Sequence, residues 1–125
     1  MDNIAFNKKY KEFILTHDGA NFFCYNNRKN SKDYIEKNIL PTLSPDIKVI
    51  YLEGRTPKSD YEQSFISKVL YSIKDQKGFP YLLKISEGQV IDKSINHDFY
   101  NTMNQNKDLE QLSKKIATFY ETAGK

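Results

Sequence analysis

Few residues of this chain are of a type that does covalent chemistry. Cys24 is the only cysteine, and His17 and His97 are the only histidines. A single cysteine forbids an internal disulfide and any CxxC motif. The two histidines stand far apart without clustered Cys or His partners, so the composition gives no zinc site and no metal centre. Neither histidine has a partner at a spacing useful for acid–base work, and both read as loop residues. Ser31 lacks a nearby histidine and any nucleophile-elbow pattern. That leaves Cys24. It is a monothiol nucleophile if Cys24-Tyr25-Asn26-Asn27 forms an exposed turn, and a small apolar residue of a buried strand otherwise. Phe22, Phe23 and Tyr25 favour the strand, because free cysteine is among the most buried residue types. A reactive thiolate also needs a helix terminus or cationic neighbours. Lys29 and Lys32 flank a predicted helix start, where backbone N–H groups could hold an anion. Capping by Asn30 or Ser31 accounts for the same residues without a ligand.

Composition narrows the classes further. The chain has 125 residues and a mass of 14.7 kDa, one domain's worth, since domains cluster near about 100–150 residues. Mean hydropathy is low at −0.71, yet aromatic residues make up 14%, more than a disordered chain carries. Nineteen basic residues against sixteen acidic leave +3, too mild and too evenly spread for a nucleic-acid reader. No apolar run reaches the roughly 18–20 residues of a membrane span. The opening MDNIAFNKKYKEF lacks a basic-then-apolar layout, so no export signal and a cytoplasmic location are expected. Nothing in the sequence asks for a cofactor.

The elements that must position these residues follow from periodicity. Residues 3–16 predict a helix with Ile4, Phe6, Tyr10, Phe13 and Ile14 on one face, broken by His17-Asp18-Gly19. Residues 20–26 (ANFFCYN) predict a strand buried on both faces. A loop at Asn26–Lys29 leads to a second helix starting at Asn30 or Ser31, carrying Tyr34, Ile35, Ile39 and Leu40 towards Pro41. Residues 47–53 (IKVIYLE) predict a second strand and 54–59 a connector. A helix is expected over 60–76, with Tyr61, Phe65, Ile66, Val69, Leu70 and Ile73 at helical spacing and Gly78 as the stop. Tyr81–Ile85 and Gln89–Ile95 predict a hairpin about Ser86-Glu87-Gly88. Residues 96–107 read as an Asn-rich connector and 108–121 as a last helix with Leu109, Leu112, Ile116 and Phe119 on one face. The aromatic stripes are core, and Lys93 stands to guard an edge strand.

This order, with Pro80 opening the third strand, resembles the thioredoxin-like superfamily. The carrier is Gly78-Phe79-Pro80-Tyr81-Leu82-Leu83-Lys84-Ile85-Ser86-Glu87-Gly88-Gln89-Val90, where a cis-proline precedes a strand, a turn with glycine and a partner strand. Tyr34–Pro41 is similar to the helix that follows the active site in thioredoxin-like and DsbA-like oxidoreductases. Within the superfamily the 54–78 connector and YLLKISEGQV look most like the bacteriocin transport accessory proteins of Gram-positive bacteria, which implies a bacterial protein. The resemblance covers residues 20–121. It implies an α/β fold with a central four-stranded mixed sheet flanked by helices. In it 47–53 lies parallel to 20–26, and 90–95 lies antiparallel at one edge. The whole chain is one domain, 1–125, with 1–19 as a helical extension.

The departure from the family lies at its chemistry. Counting back from Pro41, the CxxC position holds Lys29-Asn30-Ser31-Lys32. Dithiol exchange needs an attacking and a resolving thiol, so the expectation is a redox-inactive binding or accessory module. Its face, built from Lys29, Asn30, Ser31, Lys32, Phe79 and Pro80, would hold a protein or peptide, since in the family the backbone before the cis-proline pairs with an extended segment. A monothiol oxidoreductase or redox sensor using Cys24 is the alternative.

Overall fold

The computed structural model describes residues 4–105 and 108–125. Strand β1 (Asn21–Asn26) lies at the centre of a five-stranded mixed open sheet. Its alternation sends Phe23 and Tyr25 to one layer and Phe22 and Cys24 to the other, each packed among buried side chains. A strand without a polar face must be covered on both sides. On one side of β1 lies β2 (Ile47–Glu53), in parallel, and on the other β4 (Tyr81–Ser86), antiparallel. The outer strands are β3 (Thr56–Lys58) and β5 (Gln89–Ser94), giving the order β3-β2-β1-β4-β5.

Helices α1 (Ile4–Thr16) and α3 (Gln63–Tyr71) cover one face, through Ile14, Ile66 and Val69 against Phe22, Cys24, Ile50, Tyr81 and Leu83. The other face is covered by α2 (Lys29–Tyr34), α4 (Asn96–Asn104) and α5 (Leu109–Thr122), with Ile35, Ile39, Phe99, Leu112 and Ile116 against Phe23, Tyr25 and Leu82. The predicted helix start at Asn3 lies outside the described residues. Among the described residues, no helix is long and apolar enough to cross a membrane.

Several expectations are corrected. The sheet has five strands rather than four, because the expected connector 54–59 contains β3. Gly54 takes φ +61° in a two-residue turn that pairs Glu53 with Thr56, and a three-residue strand containing Pro57 carries too short a pattern to be read. The helix expected over 60–76 is only Gln63–Tyr71. Beyond it, the amides of Lys74 and Asp75 donate to the Asp92 carboxylate at 3.0 and 2.8 Å, which holds that stretch against β5 as a loop. The Asn-rich connector is helix α4, since Phe99 and Thr102 are buried and packing overrides the poor helix preference of asparagine; its residues 106 and 107 lie outside the described residues. His97 therefore sits in a helix, its Nε2 accepting from Asn101 Nδ2 at 3.0 Å. His17 does lie just beyond α1, its Nδ1 2.8 Å from the Phe13 carbonyl.

The second helix starts at Lys29, one residue before the expected cap. Its flanking residue is Arg28, and no side chain caps it. α2 continues into a π-helical turn, Ile35–Ile39, and a 3₁₀ turn, Leu40–Thr42. Pro41 supplies no N–H and its ring displaces the carbonyl four residues back. The turn ahead of it widens accordingly, and Leu40 N–H reaches Ile35 O.

Candidate functional site

The antiparallel pairing of β1 and β4 sets Cys24 opposite Tyr81. The exit of β1 and the entry of β4 therefore lie at the same end of the sheet. This brings the 26–32 segment against Phe79-Pro80. Tyr25, Asn26, Ser31, Ile35, Phe79, Pro80 and Tyr100 line one narrow cleft there, with no room for a water-sized sphere. Pro80 is fully buried and the Phe79–Pro80 bond is cis. Phe79 is half-buried, its ring edge-on to Tyr81 at 4.9 Å.

Of the residues expected at this face, Ser31, Phe79 and Pro80 line the cleft. Ser31 is buried and its hydroxyl donates to the Arg28 carbonyl at 3.1 Å, a role different from the expected cap. Lys29 and Asn30 are exposed on the first turn of α2. Lys32 turns away from Pro80. Its ammonium bonds Glu36 at 3.0 Å and sits 5.7 Å from the centre of the Tyr51 ring. The other oxygen of Glu36 accepts from the Tyr25 hydroxyl at 2.7 Å. The Tyr25 hydroxyl and then Lys32 hold the Glu36 carboxyl below the usual carboxylate range. Burial, followed by the Glu36 carboxylate, pushes the Tyr25 phenol up. Hydrogen bonding to Glu36 raises the Lys32 ammonium.

The backbone before Pro80 is held by side chains. Asn96 Nδ2 donates to the Phe79 carbonyl at 2.7 Å, Gly78 N–H donates to the Tyr81 hydroxyl at 3.0 Å, and Ser94 Oγ donates to the Gly78 carbonyl. Ser94 N–H in turn donates to Asp75 at 2.9 Å. Arg28 lies 5.4 Å from the centre of the Tyr100 ring and borders the cleft on the α4 side.

Cys24 is not part of this site. Its side chain is on the α1/α3 face and has no solvent exposure. Burial pushes its thiol far above the ordinary range. Among the described residues burial acts on it without an opposing charge, whereas a thiolate needs a cation or a helix terminus beside it. Among the described residues, no three His, Cys, Asp or Glu side chains come together as a metal would require.

Sequence reasoning missed Tyr25, Glu36, Tyr51, Tyr100 and Asn96. The Lys32–Glu36 spacing of four was a legible signal, since such pairs meet on a helix. Tyr100 and Asn96 were hidden in a segment read as a connector. What the arrangement offers is a set of aromatic rings about a buried proline, with Arg28 against one of them. Comparison of the chain with family models, with curated proteins and with solved structures finds no match.

Proposed function

We propose that this chain is a redox-inactive, thioredoxin-like binding module that holds an extended protein or peptide segment at the face where residues 26–32 meet Phe79-Pro80. The observation that carries the reading is the convergence of Ser31, Phe79, Pro80 and Tyr100 at one end of the sheet while Cys24 is sealed within the opposite layer. Lys29 and Lys32 stand where the superfamily has its two thiols. With neither sulfur present, the face is left with shape, aromatic surface and positive charge, which suit recognition of a chain rather than electron transfer. Aromatic and arginine side chains are the residues that most often carry such contacts.

The test is an amide-resolved NMR titration of the folded protein with a set of extended peptides, alongside an assay of dithiothreitol-driven insulin reduction. Expected are saturable shifts centred on Asn26, Ser31, Phe79, Tyr81 and Tyr100, no acceleration of insulin reduction, and slower modification of Cys24 in the native than in the unfolded chain. Loss of the shifts in a Phe79→Ala variant that melts cooperatively would locate the contact. Shifts confined to other surfaces overturn the binding face, and rapid native labelling of Cys24 returns the monothiol mechanism.

A further inference from the structure

At the Phe79-Pro80 face the hydrogen-bond acceptors are engaged while donors are left over. The Phe79 carbonyl accepts from Asn96 Nδ2 at 2.7 Å, and the Gly78 carbonyl from Ser94 Oγ. The Pro80 carbonyl takes the Ile95 N–H at 2.9 Å. Across the cleft, the Arg28 carbonyl accepts from the Ser31 hydroxyl at 3.1 Å and from the Lys32 N–H at 2.9 Å. Asn26 Oδ1 takes the Arg28 N–H at 3.3 Å. By contrast, the Phe79 N–H, Asn26 Nδ2 and the Arg28 guanidinium have no protein acceptor among the described residues. The guanidinium lies 5.4 Å from the centre of the Tyr100 ring, which lines the same cleft as Asn26 and Phe79. That attraction acts through the ring face and uses none of its N–H groups. The Glu36 carboxylate is bound to Lys32 and Asp98 to Lys115, and Arg28 makes no ion pair among the described residues.

The geometry points to a carboxylate as the group recognised here on the segment that the face holds, an inference that rests on the binding reading above. An ionised carboxylate is an acceptor only, and so suits a place whose own acceptors are engaged. A guanidinium can meet its two oxygens with two parallel N–H bonds, and the Phe79 N–H and Asn26 Nδ2 are the further donors of the cleft. A strand added through both backbone groups of Phe79 would compete with Asn96 for the carbonyl. The anchor is therefore the acid, with the rest of the segment resting on the rings of Phe79 and Tyr100. Since the cleft has no room for a water-sized sphere, the carboxylate lies across its mouth, where Arg28 is exposed. A chain's C-terminus and an Asp or Glu side chain offer the same chemistry.

The probes are three acetylated peptides titrated into the full chain and followed by amide and Asn side-chain NMR. One is Ser-Val-Glu-Val-Ser amide, the second its Gln counterpart, and the third the Gln peptide ending in a free carboxylate. A peptide with a carboxylate should bind about tenfold more tightly than the Gln amide, the factor that goes with one charged hydrogen bond. It should move the Phe79 N–H downfield and shift the Asn26 side-chain NH₂. Preference for either acid supports the proposal, and the arm that shows it names the source, side chain or chain end. Arg28→Gln, at an exposed residue whose backbone bonds are kept, should abolish the preference without changing the melting temperature. Arg28→Lys, which keeps the charge but not the fork, should restore part of it. Equal affinity for all three peptides overturns the carboxylate and leaves the binding face standing. Absence of shifts at this face with any of them overturns both. A preference that survives Arg28→Gln puts the acid on another cation and also overturns the proposal.

Discussion

Cys24 and Tyr25 are neighbours in β1 and are sent to opposite layers, which decides their chemistry. Cys24 is enclosed by apolar side chains and its thiol stays protonated. The Tyr25 ring is buried but its hydroxyl reaches the Glu36 carboxylate at the edge of the cleft. The carboxyl of Glu36 is lowered relative to the unfolded chain, most of all by that hydroxyl and then by Lys32. A lowered carboxyl contributes stability that is present above its unfolded value, about 4.3, and that is lost as pH falls through the folded value. Tyr25→Phe removes the leading cause. We expect the Glu36 carboxyl to move back up towards the ordinary range, read by carbon-detected NMR titration of its side chain, and the acid limb of the stability profile to become shallower. An unchanged Glu36 titration would show that Lys32 alone sets it.

At the scale of elements, the loop between α3 and β4 is what presents Phe79-Pro80, and its later part is tied to β5. Asp92 accepts from two consecutive loop amides, and Asp75 accepts from Ser94 N–H on β5. These bonds also cover part of an edge strand, whose open amides otherwise invite pairing with another chain. Pro57 guards the other edge strand, its carbonyl taken by Gln63 Nε2 at 3.2 Å. Asp92→Ala leaves the two loop amides to water. The expected loss is about 1–2 kcal/mol in chemical denaturation, the range for a hydrogen bond to a charged group at a partly exposed site. Amide exchange at Lys74, Asp75 and Ser94 should rise well beyond that elsewhere in the sheet. A uniform rise across the sheet would mean that Asp92 supports the fold as a whole and not this loop.

Considered as a whole, the molecule is a sheet with a separate core on each face, and α1 completes one of them. Ile14 of α1 is 3% exposed and packs with Phe22, Cys24 and Ile85. Phe13, Tyr61, Phe65 and His17 continue this layer as a set of ring contacts, with Phe13 and Phe65 centred 4.9 Å apart and His17 4.4 Å from Phe13. Helix α1 thus acts as the cover over Cys24, and loosening it should be legible at the sulfur. Ile14→Ala should lower stability by about 2–5 kcal/mol, the range for deleting a large buried aliphatic side chain, and accelerate native labelling of Cys24 by a thiol reagent. If stability falls while labelling stays as slow as in the parent chain, the cover over Cys24 is provided by α3.

The sequence alone determined the parts whose pattern is local. The apolar run 20–26 had to be a two-faced strand, the spacing of Leu112, Ile116 and Phe119 had to be a helix, and Glu87-Gly88 had to turn a hairpin. Glu87 and Gly88 both take positive φ, 52° and 79°, in that turn. The absence of paired cysteines already set the expectation of a redox-inactive chain. What tertiary structure decided was everything that depends on a partner remote in sequence. β3 exists because a turn at Gly54 folds Thr56–Lys58 back on β2, and α4 because the core takes up Phe99. Lys29 and Lys32 share a helical turn with Ser31, yet only Ser31 meets Pro80, since the side of α2 that faces the sheet is chosen by Ile35 and Ile39 entering the core. Spacing along a chain specifies which residues can share a face; which face is buried is fixed only when the apolar surfaces of distant segments leave water together.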